Sequence, residues 1–158
     1  MSRHRLALIP ASYIYLRRGG EVLLQQRQNT GYMDGHWVAG AAGHIEAGET
    51  ARAAAVREAR EELGVAIARE HLTLITVMQR TDGSADLREQ RVDWFWTATR
   101  WEGVPRIMEP DKASRIEWHS LAALPAPIPA YERAVLNGLR DDDLPLDTAM
   151  GFPPDIPA

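Results

Sequence analysis

The chain contains no cysteine, so no disulfide framework holds it, which fits a reducing compartment. No apolar run approaches membrane-spanning length, and the opening MSRHRLALIPASY has too short an apolar stretch for a secretory signal. A cytoplasmic protein with no membrane partner is therefore expected. No G-x-x-x-x-G-K-[ST] occurs, which excludes a P-loop NTPase. The five histidines, His4, His36, His44, His71 and His119, are scattered without the spacing of zinc ligands. An excess of positive charge is also missing. The formal charge of −4 argues against a nucleic acid polymer as partner, because such binding rests on Lys and Arg contacts to phosphate.

What is present is ordinary for a folded protein: 158 residues, 45% hydrophobic and 25% charged, enough for one domain with a real core. That domain is expected over residues 1–140. Residues 141–158, DDDLPLDTAMGFPPDIPA, read as an acidic, Pro-rich tail that wraps on the surface or is disordered. Strand patterns cover Leu6 to Leu16 and Glu21 to Arg27, joined by the turn Arg17-Arg18-Gly19-Gly20 into a hairpin. Gln28 to Gly35 is polar and glycine-bearing, hence a loop, and His36 to Ile45 reads as short extended pieces. Further strands are expected over His71 to Arg80, Val92 to Arg100 and Ile116 to His119. The run Trp94-Phe95-Trp96 marks a strand buried on both faces. Ala130 to Leu139 reads as a closing helix packed through Tyr131, Val135, Leu136 and Leu139.

Gly43 to Val65, GHIEAGETARAAAVREAREELGV, is the informative segment. Thr50 can cap a helix of good helix formers that runs to Leu63, and Gly64 can end it in a left-handed conformation. At about 100° per residue, Ala53, Val56, Ala59 and Leu63 fall on one stripe expected to face the core. Glu58, Glu61 and Glu62 fall on the other side, within an arc of roughly 100°. Carboxylates crowded in this way repel one another unless a cation sits among them, and all-oxygen ligation suits hard divalent ions such as Mg²⁺ and Mn²⁺. Arg57 is placed to pair with Glu61 one turn on and with Glu49 across the loop-to-helix junction. A solvated helix face would also show a charge run. It would not need the glycine-bearing loop from Gly43 to Gly48 that leads into Glu49.

The spacing G-x5-E-x7-R-E-U-x-E-E-x-G-U, with U apolar, resembles the signature box of the Nudix hydrolases, which cleave the diphosphate linkage of a nucleoside diphosphate joined to another group. The resemblance implies an α/β fold, an α/β/α sandwich whose mixed sheet carries the box as a loop–helix–loop. It implies Glu58 and Glu62 as principal metal ligands, Glu61 as ligand or water-orienting base, and Arg57 and Glu49 in support beside Gly43. It also implies a metal-binding backbone carbonyl just before the box glycine, which here is that of Ala42. The stretch RWEGVPRIMEPDK, Arg100 to Lys112, looks like the corresponding part of the MutT-type enzymes, which release pyrophosphate from oxidised guanine nucleotides. By that likeness Glu109 takes the place of a mobile metal ligand or general base, and Arg27 that of an arginine on substrate phosphate. Those enzymes read the base through an asparagine near the start of the last helix, where this chain has Tyr131, an aromatic that could stack on any base. Trp37, Trp94 and Tyr32 are further aromatics for such a pocket.

Motifs of other branches are missing. Gln79, Arg80 and Thr81 stand where ADP-ribose enzymes carry a proline, and Asp82 and Gly83 where dinucleoside polyphosphate enzymes carry a tyrosine. The expectation is a metal-dependent hydrolase that converts a (d)NTP to NMP and pyrophosphate. The alternatives are a Nudix hydrolase of another nucleoside diphosphate derivative (ADP-ribose, a nucleotide sugar or a dinucleoside polyphosphate) and a non-catalytic nucleotide-sensing domain. The partner is a small nucleotide, and a homodimer is compatible with it.

Overall fold

A computed structural model describes residues 5–153, so His4 and residues 154–158 of the expected tail lie outside the described residues. The elements in chain order are β1 (Ile9–Arg18), β2 (Glu21–Arg27), β3 (Trp37–Ala39), β4 (Ala41–His44), α1 (Ala51–Leu63), β5 (Thr73–Arg80), β6 (Arg91–Ala98), β7 (Ala113–Ser120), α2 (Ala130–Asp141) and β8 (Asp147–Met150). The strands form one eight-stranded sheet in the order β3-β2-β1-β6-β5-β8, with β4 paired to β1 and β7 to β2. It is mixed: β1 runs parallel to β6 and β5 parallel to β8, while the other ladders are antiparallel.

The period-2 alternation of side chains divides the core between the two helices. Tyr13 and Tyr15 of β1, Val22 and Leu24 of β2 and Phe95 of β6 pack toward Tyr131, Val135 and Leu136 of α2. Ile14 and Leu16 of β1, Leu23 of β2 and Trp96 of β6 pack toward Ala55, Ala59 and Leu63 of α1. This is the expected sandwich; in the Trp94–Trp96 run the side chains alternate between the two cores, with Phe95 and Trp96 buried and Trp94 half-buried.

Several boundaries differ from the sequence reading. β1 starts at Ile9 rather than Leu6, and Pro10 does not interrupt it. β7 is an eight-residue strand, longer than Ile116 to His119, because it pairs along the whole of β2. The tail is not featureless. Asp147–Met150 forms β8 against β5, and Gly151 brings its backbone so close to Thr81 O that no side chain fits there. The buried stripe of α1 is also rotated from the one expected. Ala54, Ala55, Glu58, Ala59 and Leu63 are buried, whereas Ala53 and Val56 are only half-buried. The helix therefore turns part of its acidic side toward β4.

No helix among the described residues is long and apolar enough to cross a membrane.

Candidate active site

The ends of α1 are fixed locally. Thr50 Oγ1 accepts from Ala53 N at 3.1 Å, and Gly64 ends the helix at φ 68°. Such a cap is worth about 1 kcal/mol. Burial of Leu63 adds roughly 2 kcal/mol, which seats the helix on the sheet and aims its carboxylates at the loop before it.

Arg57 gathers most of them. Its guanidinium donates to both oxygens of Glu49 at 2.8 and 3.0 Å, to Glu58 Oε1 at 2.6 Å, to Glu61 Oε2 at 3.1 Å and to His44 O at 3.0 Å. These bonds, those to Glu49 foremost, raise the pKa of Arg57 and lower that of Glu49. Glu58 is 8% exposed and lies over Gly43, where an added Cβ would occupy the space of its carboxyl. That contact explains glycine at this position, where the backbone φ is not of the left-handed kind.

Glu62 faces a different set of partners. Its Oε2 accepts from Ala42 N and from Gln25 Nε2 of β2, both at 3.1 Å. Burial first, then the charges of Glu58 and Glu109, push its carboxyl up to about 7 against those hydrogen bonds. Burial likewise raises Glu58, with Glu61 and Glu109 adding to the rise while Arg57 opposes it. Glu62 and Glu109 line one cavity of about 410 Å³ together with Arg27, Ala42 and Lys112. Lys112 donates to Glu109 Oε1 at 3.1 Å.

Glu58, Glu62 and Glu109 thus come together electrostatically, while Glu61 points outward, its side chain 55% exposed. Among the described residues no three acidic or imidazole side chains form a ready-made metal cluster, and the guanidinium of Arg57 holds Glu58 and Glu61. The donor set nevertheless fits a hard divalent ion. It is all oxygen, partly desolvated and mutually repulsive, and Glu58 Oε2 and Glu62 Oε1 accept no hydrogen bond among the described residues.

A second cavity, of about 580 Å³, adjoins the first through the shared walls of Gln25, Arg27, Thr30 and Ala42. Arg27 is half-buried between the two, its Nε on Tyr32 O at 2.9 Å. Tyr131 and Tyr32 line the larger cavity, whereas Trp37 and Trp94 are not among its walls. Trp94 packs on the α1 side of the sheet, and Trp37 stacks edge-on against His119 at 4.6 Å. Tyr131 is 8% exposed, and the Arg80 guanidinium lies 3.8 Å from its ring centroid. One face of its ring is therefore already covered.

Sequence reasoning missed the polar groups behind that cavity. Arg80 Nε donates to Asp93 Oδ2 at 2.5 Å and Arg91 Nη2 to Asp93 Oδ1 at 3.4 Å, with Asp93 fully buried. Glu132, also fully buried, accepts from Tyr15 OH at 2.7 Å and from Ala39 N at 2.6 Å, both on Oε2. The signal for Glu132 was present. It stands three, four and seven residues before Val135, Leu136 and Leu139, on the stripe that buries them.

Sheet order, sandwich and box helix together define a fold class that solved structures share. The chain is similar to the MutT NUDIX hydrolase from Burkholderia pseudomallei, with a TM-score of 0.73 and 29% identity over 83% of this chain and 97% of that one. It shares the fold of the MutT protein from Methanosarcina mazei Go1, with a TM-score of 0.69 and 18% identity over 86% and 95% of the two chains. It is also 36% identical to the 8-oxo-dGTP diphosphatase of Escherichia coli (strain K12) across 85 residues, which take in 53% of this chain and 58% of that protein, less than two thirds of its length. Residues 8–138 match the NUDIX domain. The chain belongs to the NUDIX family, whose hydrolases generally use divalent metal ions.

Proposed function

We propose that the protein is a pyrophosphohydrolase that converts a nucleoside triphosphate to the monophosphate and pyrophosphate with Mg²⁺ or Mn²⁺. The observation that carries this reading is the shared wall. Glu62 and Glu109 line one compartment, Tyr131 and Glu132 line the other, and Arg27 belongs to both. A polyphosphate with its metal fits the acidic compartment, and a nucleoside fits the larger one.

Glu58 and Glu62 would hold the ion, with Glu109 and the Ala42 carbonyl completing its surroundings and Glu61 orienting water. A bound divalent ion supplies charge neutralisation on the phosphates and a more acidic water. The chain's own residues do the rest. Arg57 fixes Glu58 and Glu49 in place. The guanidinium of Arg27 has donors to spare for a phosphate, for which its planar fork is suited. Water adds to one phosphorus of the α–β bridge, the bridging P–O bond to that phosphorus breaks, and monophosphate and pyrophosphate separate while a carboxylate takes the proton from the water. The 8-oxo-dGTP activity named for the Escherichia coli relative makes an oxidised guanine nucleotide one substrate to test.

The experiment is pyrophosphate and monophosphate release from a nucleotide panel that includes ADP-ribose and a dinucleoside polyphosphate. The expected result is pyrophosphate from a nucleoside triphosphate, lowered on the order of 10³-fold by Glu62→Gln. Cleavage of ADP-ribose alone would replace the triphosphate reading, and equal rates for parent and variant would remove the role given to Glu62.

A further inference from the structure

The connection from β6 to β7, residues 99–112, has no helix or strand of its own, and it carries Glu109. A side chain on so long a run keeps a fixed place only where something outside the run holds it. Here the run is tied on two sides. Ala66 and Glu102 exchange both backbone hydrogen bonds, at 3.0 and 2.9 Å. Arg106 N then donates to Leu63 O at 3.0 Å and Met108 N to Glu62 O at 3.1 Å. These bonds take up carbonyls that the end of α1 leaves unpaired. Glu109-Pro110-Asp111-Lys112 follows as a turn closed by Lys112 N on Glu109 O at 3.0 Å, with proline at its favoured second position. On the other side stands the end of β2. Gln28 N donates to Lys112 O at 2.9 Å, and the Gln28 side chain donates through Nε2 to Pro110 O at 2.7 Å. Asn29 Nδ2 adds a longer bond to Asp111 O at 3.3 Å.

We infer that Gln28 is a positioning residue for the metal compartment: through Pro110 it fixes Glu109 opposite Glu62. This rests on the role given to Glu109 above. Glu109 lies between two anchors. The residue before it is bonded to the carbonyl of Glu62 itself, and the residue after it to the amide of Gln28. The bonds to α1 are made by backbone alone and do not depend on side-chain type. The 2.7 Å bond to Pro110 O needs a side-chain donor of the length of glutamine, and Gln28 is half-buried in making it. Pro110 also restricts Glu109 to extended backbone. Because Gln28 directly follows Arg27, the same bond relates the phosphate-side arginine to the carboxylate across the 410 Å³ cavity that both line. The MutT likeness implies a mobile residue at this place; in this chain the turn is stapled from β2. A carboxylate already in place spares a bound ion the cost of ordering the loop.

Two substitutions test this. Gln28→Met keeps the length of the side chain and removes its N–H groups, and Gln28→Asn keeps the amide but is one methylene too short. Mn²⁺ affinity, read from the electron paramagnetic resonance of the free ion without substrate, would be measured for the parent, both variants, Glu109→Gln and the double variant Gln28→Met with Glu109→Gln. Thermal melting of each checks folding. The expected result is roughly 3- to 10-fold weaker Mn²⁺ binding in both Gln28 variants, the worth of one neutral hydrogen bond. In the Glu109→Gln background Gln28→Met should weaken binding no further. A loss of the same size in that background would mean a structural role only and would overturn the inference, as would parent-like affinity in the folded Gln28 variants. Parent-like affinity in Glu109→Gln would remove the role of Glu109 and this inference with it, leaving the Glu62 site standing. A parent that binds no Mn²⁺ would remove the proposed metal site as well.

Discussion

The two carboxylate environments of this molecule are built in opposite ways. Along α1 and the loop before it, Glu49, Glu58 and Glu61 converge on one guanidinium from within thirteen residues of chain. At the larger cavity, Glu132 of α2 is held from behind by Tyr15 of β1 and Ala39 of β3, with Arg80 of β5 in the same wall, so that four elements spread over most of the sequence contribute. The first arrangement supplies charge for chemistry that any diphosphate needs. The second places buried polar groups along the larger cavity. The acidic cluster is local in sequence and the cavity wall is distributed.

The largest effect expected to sharpen that contrast is the loss of turnover in Glu62→Gln described above, with base preference unaltered. Next is Gly43→Ala. The new methyl would displace the Glu58 carboxyl, lowering turnover on the order of 100-fold and stability by about 1–3 kcal/mol. Rates and melting temperatures of parent and variant check it, and a variant as active as the parent would break the link between Gly43 and Glu58.

The smallest effect concerns stability against pH. Burial holds the Glu132 carboxyl at about 7, against 4.5 for an ordinary glutamate. Between those values the folded protein keeps a proton that the unfolded chain has lost. The stability this confers is full below pH 4.5 and is lost as pH rises through 7, by up to about 3 kcal/mol. Glu62 shifts in the same direction, so the useful quantity is the difference between parent and Glu132→Gln, measured by denaturant unfolding at pH 5 and pH 8. The parent should lose ground to the variant as pH rises; a constant difference would contradict the burial of an uncompensated carboxyl.

How much of this was legible follows from the same contrast. The Thr50 cap, the Gly64 stop and the Arg57 pairs with Glu49 and Glu61 depend on spacing along one helix, and each stands where the spacing puts it. The hairpin of β1 and β2 and the alternating Trp94–Trp96 run rest on equally local patterns. The orientation of α1 did not follow from its own pattern, because an alanine-rich helix has several small faces and β4 selects among them. β8 was hidden by the acidic, Pro-rich composition around it, since a four-residue strand is stabilised by its pairing with β5 rather than by its own propensity. Glu132 was legible in principle from its place on the buried stripe of α2. A helical glutamate is ordinarily solvated, and nothing in its own type marks this one as buried.

The central claim is that the acidic side of α1, not the buried carboxyl of α2, binds the divalent ion. Titration of Mn²⁺ into the parent, Glu62→Gln and Glu132→Gln, followed by electron paramagnetic resonance of the free ion, tests it without any substrate. The account predicts binding by the parent and by Glu132→Gln, and binding at least about 10-fold weaker in Glu62→Gln. Equal Mn²⁺ affinity in parent and Glu62→Gln would contradict it.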